Sequence, residues 1–200
     1  SRQKFNFEYS RSKLDKNRKQ DDIQTKKDFG VLSNIESIWS NVFKTNIVYK
    51  SFGKNYYSAG NTALNASEIG YRGFTANYEY NPLDKLNITG FLENYYEDGF
   101  ETSTTKTKHK IWDNTIKHKL NEANELSLNT YWKDTYKEDA TVDKLKTSVK
   151  VSYTKKINTA KIGGNISYSK TDDKTLANSD TKVKGFSLNF ADKYFNKKLF

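Results

Sequence analysis

The stretch KLKTSVKVSY, residues 144–153, decides the fold. Leu145, Val149, Val151 and Tyr153, together with Thr147, occupy alternate positions, and Lys144, Lys146, Ser148, Lys150 and Ser152 fill the places between. Successive side chains of a strand point to opposite faces, so this stretch reads as a strand with one apolar and one polar side. On a helix the same residues would scatter, because neighbours on one helix face recur at every third or fourth position.

The device repeats in both directions. Ile162, Gly164, Ile166 and Tyr168 alternate with Lys161, Asn165, Ser167 and Ser169, and Leu126, Leu128, Thr130 and Trp132 alternate with Glu125, Ser127, Asn129 and Lys133. Phe74, Ala76, Tyr78 and Tyr80 form another stripe, as do Leu86, Ile88, Gly90, Leu92 and Tyr96. Phe5, Phe7 and Tyr9 begin the series, and Phe186, Leu188 and Phe190 close it. Segments 26–39 and 46–54 are less regular, with apolar residues on both faces. The pattern predicts ten strands in a single domain over 1–200, near 4–14, 26–39, 44–54, 69–80, 85–97, 107–120, 124–137, 142–154, 159–170 and 180–190. Globular strands average about five or six residues, whereas crossing a bilayer at a tilt takes about nine to eleven. These runs belong to the longer class.

Connections add an asymmetry. KNRKQDDIQTKK, KNYYSAGNTALNASE, DGFETSTTK and TDDKTLANSD are long; residues 41–44, 81–84, 121–124 and TKKINT are short; KEDAT is intermediate. Long and short links largely alternate, as they do in outer-membrane barrels, where one end carries short turns and the other longer loops. A soluble up-and-down barrel has no physical reason to sort its loops this way. The fold class expected is therefore all-β, an antiparallel up-and-down transmembrane β-barrel of about ten strands or part of a larger barrel, in a bacterial outer membrane.

Composition agrees. Apolar residues are 34% of the chain and mean hydropathy is −0.92, yet aromatics reach 14%. Disordered chains are poor in aromatics, and a membrane barrel needs apolar side chains on its lipid face alone. No window approaches the roughly eighteen apolar residues of a spanning helix. Cysteine is absent, which excludes a disulfide scaffold and thiolate metal sites. The lack of an initiator Met and of a basic-then-apolar leader points to a mature chain or a fragment. The formal charge of +10 could suit nucleic acid, but Lys is spread along nearly every segment rather than gathered in one patch, so no nucleic-acid partner is expected.

Tyr9, Trp39, Tyr78, Tyr80, Tyr96, Trp112, Trp132, Tyr153 and Tyr168 are candidates for interfacial aromatics, which place a ring in lipid and a polar tip among headgroups. Plain packing in a soluble sheet would use aromatics as well. Glu79, Glu93, Lys117, Lys119, Glu125, Lys133, Lys146, Lys150 and Lys161 fall opposite the apolar stripes and are the candidate lumen-facing charges. Eight strands leave room only for side chains, so a closed ten-strand barrel should interlock these groups and form a narrow pore or none.

No reaction site is legible, and the chain is not expected to be an enzyme. His109 and His118, nine apart, face opposite sides of one strand and make a poor metal pair. Asp21–Asp22, Glu97–Asp98, Glu138–Asp139 and Asp172–Asp173 read as loop-solvating charges, with no nucleophile and base beside them. Gly163–Gly164 lies within a strand and is no phosphate loop. Asn65 and Asn87 match the glycosylation pattern, which nothing else in the sequence supports. No catalytic, cofactor-binding or metal-ligating residue is assigned, and no cofactor is expected.

Two stretches resemble outer-membrane barrel families. GFSLNF, residues 185–190, is similar to the terminal strand signal read by barrel-assembly machinery, which ends in Phe; here ten residues follow it. NFADKYFNKKLF (189–200) and EYNPLDKLNITGFLENYYED (79–98) resemble segments of the barrels of TonB-dependent receptors. That resemblance implies part of a 22-stranded barrel that imports siderophores, haem or vitamins; no plug is visible and no ligand residue carries over. The function expected is passage or uptake of a small solute, porin-like or TonB-receptor-like. The alternatives are a non-transporting anchor (an adhesin, an autotransporter-type translocator or an envelope-complex component) and a soluble β-domain with its apolar stripes turned inward. Expected partners are outer-membrane lipid, the assembly machinery and other envelope proteins.

Overall fold

A computed structural model describes residues 1–14, 26–53, 70–98, 106–139, 141–175 and 179–192. Ten strands make one sheet in chain order, each antiparallel to the next. They are β1 (Arg2–Leu14), β2 (Lys26–Ile38), β3 (Phe43–Phe52), β4 (Tyr71–Leu83), β5 (Leu86–Asp98), β6 (Lys106–Asn121), β7 (Asn124–Lys137), β8 (Asp143–Ile157), β9 (Ala160–Asp173) and β10 (Thr181–Asp192). The up-and-down order of ten strands is the one read from the sequence. Pairing carries β4 beyond Tyr80 to Leu83, past an irregularity in register, and β8 beyond Thr154 to Ile157.

Those extensions sharpen the sorting of connections. At one end the links are residues 39–42, 84–85, 122–123 and 158–159; at the other they are 15–25, 53–70, 99–105, 138–142 and 174–180. The intermediate KEDAT segment falls with the long group, and TKKINT shrinks to Asn158–Thr159 because β8 absorbs the rest. Short polar side chains build the tight turns. Ser40 Oγ accepts from the Phe43 amide at 3.1 Å, and Asn121 Oδ1 accepts from the Ala123 amide at 3.0 Å. Asn158 takes the left-handed φ of 53° that a two-residue hairpin requires and that Asn tolerates better than most residues.

Among the described residues β1 pairs with β2 and β10 with β9, and no ladder joins β1 to β10. The closing seam of a ten-strand cylinder is therefore not among the described pairings.

Nor do the apolar stripes cover a core. Phe52 and Tyr71 are the buried apolar side chains among the described residues, whereas Phe5 is 63% exposed, Ile166 68%, Phe186 70% and Leu188 75%. A soluble sheet would turn these stripes onto a second layer. This sheet turns them away from the protein, so the soluble alternative does not describe it.

Candidate functional site

Register assigns every side chain to one of two faces. The polar face carries all nine lumen-facing candidates, in rows that cross the sheet. One row runs Glu93, Ile111, Lys133, Lys146 and Thr171, and another runs Glu79, Thr89, Thr115, Asn129, Lys150 and Ser167. Lys119 lies directly opposite Glu125, Lys117 faces Asn87 and Ser127, and Lys161 faces Lys156. These charges do not interlock. Among the described residues Glu79 is the one of the nine with an ion pair, to Lys44 Nζ at 3.9 Å. Glu79, Glu93 and Asp113 lie on β4–β6 together with Lys117 and Lys119, and Lys133, Lys146, Lys150 and Lys161 lie on β7–β9 together with Glu125. Lys133 and Lys146 even stand opposite each other, an arrangement that costs stability in a sheet. Interlocking requires a facing wall within side-chain reach, and no ladder among the described residues closes the sheet to bring one there. Between the short-turn end and the middle lies a hollow of about 730 Å³, lined by Asn46, Asn77, Glu79, Thr89, Asp113 and Asn129 among others.

Sequence reading missed a cluster toward the long-connection end. Tyr71 stacks on Tyr95 at 4.7 Å between ring centroids, and Tyr95 on His109 at 4.6 Å. Tyr71 Oη and Thr75 Oγ1 both donate to Glu93 Oε1, each at 3.1 Å. His109 is buried; its Nδ1 is 3.3 Å from Thr135 Oγ1, and its Nε2 is 3.4 Å from Glu97, within ion-pair range but outside hydrogen-bond geometry. The cluster joins β4, β5, β6 and β7 across widely separated sequence positions. Only the register brings them together; the parity of His109 against His118 was the sole signal available beforehand. Among the described residues no three His, Cys, Asp or Glu side chains converge as metal ligands.

The apolar face is zoned. Moving along each strand from the short turns, the first basic side chain beyond the apolar stripe is Arg11 on β1, Arg72 on β4, Lys110 on β6, Lys170 on β9 and Lys184 on β10. Asp134, Asp143 and Asp172 lie in the same zone, and Lys170 pairs with Asp172. On the short-turn side of that border the described ionisable side chains, tyrosines apart, are Lys155 and His118.

The candidate aromatics distribute unevenly on this face. Tyr9 and Tyr96 lie in the row of Arg72, near the long connections. Trp39 sits in a short turn, its Nε1 donating to Thr45 at 2.9 Å, with Tyr80 and Tyr153 toward the same end. Tyr78 covers Gly90 on β5, and Tyr168 adjoins Lys184. Trp112 and Trp132 stand opposite each other well inside their strands. Phe43, stacked edge-on with Tyr80 at 6.0 Å, and Tyr136, in the row of Tyr96, belong to the same population and were not picked out from the sequence.

An up-and-down sheet of long strands with sorted connections, one polar face and one apolar face, is the fold of the outer-membrane β-barrels. The comparison with solved structures points the same way. The chain superposes over 95% of its length on the FrpB iron transporter from Neisseria meningitidis (F3-3 variant), with a TM-score of 0.56 at 10% identity. It spans 39% of that transporter. OmpT, an outer membrane protein of Vibrio cholerae, matches over 83% of this chain and 52% of its own, with a TM-score of 0.49 and 14% identity. No protein-family model and no curated protein matches the chain.

Proposed function

We propose that this chain forms part of the wall of an outer-membrane β-barrel, its apolar face in lipid and its polar face lining a path for a small solute. The observation that carries the reading is the slope of the basic border. Through the register, Arg72 shares a row with Tyr9, two residues short of Arg11; Lys110 shares a row with Phe74, two residues short of Arg72. Lys170 lies in the row of Trp112 and Lys184 in the row of Tyr168, each a further two residues down. The border thus descends eight residues over the nine intervals from β1 to β10. At about 3.4 Å per residue and about 4.8 Å per interval, that slope corresponds to strands tilted by about 32°. Closed barrels tilt theirs by roughly 35–45°. A flat boundary crossing tilted strands, as a lipid surface does, produces this drift; a soluble surface has no reason to keep it.

The polar face supports the second half of the proposal. It is charged from end to end, and its hollow of about 730 Å³ is of a size to accept a small solute, small-molecule sites being about 300–1,000 Å³. FrpB, one of the solved structures the chain resembles, is itself an iron transporter. Two measurements test the two halves. The folded protein should partition into detergent and migrate differently on a gel before and after heating; recovery in the aqueous phase would overturn the membrane placement. In planar bilayers the closed barrel that contains this wall should conduct ions. A silent bilayer would overturn the solute path and favour the non-transporting anchor.

A further inference from the structure

We infer that the apolar face holds a specific seat for a phosphorylated lipid at the border between β4 and β6. The inference rests on the membrane placement proposed above. Three cations converge there. Arg72 and Lys108 lie in one row on either side of Tyr96, with Lys108 Nζ 5.2 Å from the centroid of that ring, and Lys110 is two residues further toward the short turns. Arg72 Nε donates to Ser51 Oγ at 3.3 Å, which leaves the rest of its guanidinium fork unassigned by that bond. Asp134, opposite Lys110 in the register, is the acid of this patch. It offsets one of the three charges, and no ion pair between it and Lys110 is formed among the described residues.

Directly toward the short turns from these cations is a hollow of about 580 Å³, whose lining includes Phe74, Leu92, Lys110, Trp112, Trp132 and Val149. Lys110 is thus both the edge of the hollow and a member of the cationic group. An ammonium or guanidinium group prefers a phosphate oxygen, and an apolar trough prefers hydrocarbon. One molecule that presents both, in this order along the membrane normal, is a lipid with an anionic phosphate headgroup and an acyl chain below it. Cations near an anionic leaflet favour such headgroups.

The test uses the tryptophans of the seat itself. The chain has three, Trp39, Trp112 and Trp132, so the Trp39→Phe protein reports from Trp112 and Trp132 alone. Folded into phosphatidylcholine vesicles, it is quenched by equal fractions of brominated phosphatidylcholine or brominated phosphatidic acid. The phosphatidic acid should bind several-fold more strongly, and Arg72→Gln, Lys108→Gln and Lys110→Gln should each remove part of that preference. Together they should bring it near one, with quenching by the phosphatidylcholine unchanged. Lys110→Arg, which keeps the charge, should retain the preference and guards against a folding defect. A ratio of one in the parent, or a preference that survives the triple substitution, overturns the seat. So does loss of the preference on adding inorganic phosphate, since the cations would then take free anion without regard to the acyl chain. If neither brominated lipid quenches, the membrane placement itself has failed.

Discussion

Replacing Ile166 by Arg tests the face assignment where it is most exposed to refutation. Ile166 is four residues from Lys170, the basic border on β9. At about 3.4 Å per residue and the tilt of about 32°, its side chain lies about 12 Å below that border. The apolar band of a membrane barrel is about 25 Å tall, so this position is close to the midplane, where Arg costs roughly 2–4 kcal/mol. The side chain is 68% exposed in the protein, so little of the loss arises from packing. Comparing Ile166→Arg with Ile166→Ala removes most of what remains. The neighbouring Ser167→Arg, one residue along, points to the polar face and should cost under about 1 kcal/mol relative to Ser167→Ala. Reversible denaturant unfolding from lipid vesicles measures both differences. A cost at Ile166 equal to or below that at Ser167 would refute the assignment of the two faces.

Further outcomes follow from particular contacts. Gly90→Ala should destabilise by about 1–3 kcal/mol in the same unfolding assay, because a Cβ there would stand 2.4 Å from the Asp113 carbonyl oxygen and 2.6 Å from the Tyr78 hydroxyl. Asp173 accepts from the Thr175 amide at 3.1 Å, the Thr175 hydroxyl at 2.6 Å and the Ser179 hydroxyl at 2.8 Å, and pairs with Lys144 at 3.2 Å. Asp173→Ala should therefore speed hydrogen exchange at the Thr175 amide and lower stability by about 1–3 kcal/mol. In the β7–β8 connection the Thr141 hydroxyl, then Lys137, then the Thr141 amide hold the Asp139 carboxyl well below the usual carboxylate range. A depressed value stabilises the fold above the unfolded pKa, about 3.9, and that contribution is lost as pH falls through the folded value. Carboxyl NMR should show Asp139 titrating below ordinary Asp, and Thr141→Val should raise its midpoint. A parent midpoint at or above 3.9 would contradict the hydrogen-bond account.

Strand number, order and facing were legible in the sequence because period-two alternation is a local property: Leu145, Val149 and Val151 declare their side without reference to any neighbour. The sorted connections were legible for the same reason, although KEDAT blurred the pattern until β7 and β8 fixed their ends. What depends on register was hidden. Tyr71, Tyr95 and His109 are far apart along the chain and meet only because β4, β5 and β6 align as they do. Trp112 and Trp132 could be chosen as aromatics, but that they stand opposite each other follows from the β6–β7 pairing. The basic border was invisible for a further reason. Arg72, Lys110 and Lys184 sit at different distances from their strand ends, and without the stagger they look like unrelated lysines and arginines in a Lys-rich chain. Which strands, if any, flank β1 and β10 left no local mark at all, since GFSLNF has the same alternation whether or not another strand lies beside it.

The central claim is that the strands cross a bilayer at a tilt set by the slope of that border. Polarised infrared spectroscopy of the protein in oriented bilayers measures the tilt from the dichroism of the amide bands. The account predicts strands inclined at about 30–45° to the membrane normal. Strands lying in the membrane plane, or a sheet with no fixed orientation, would contradict it.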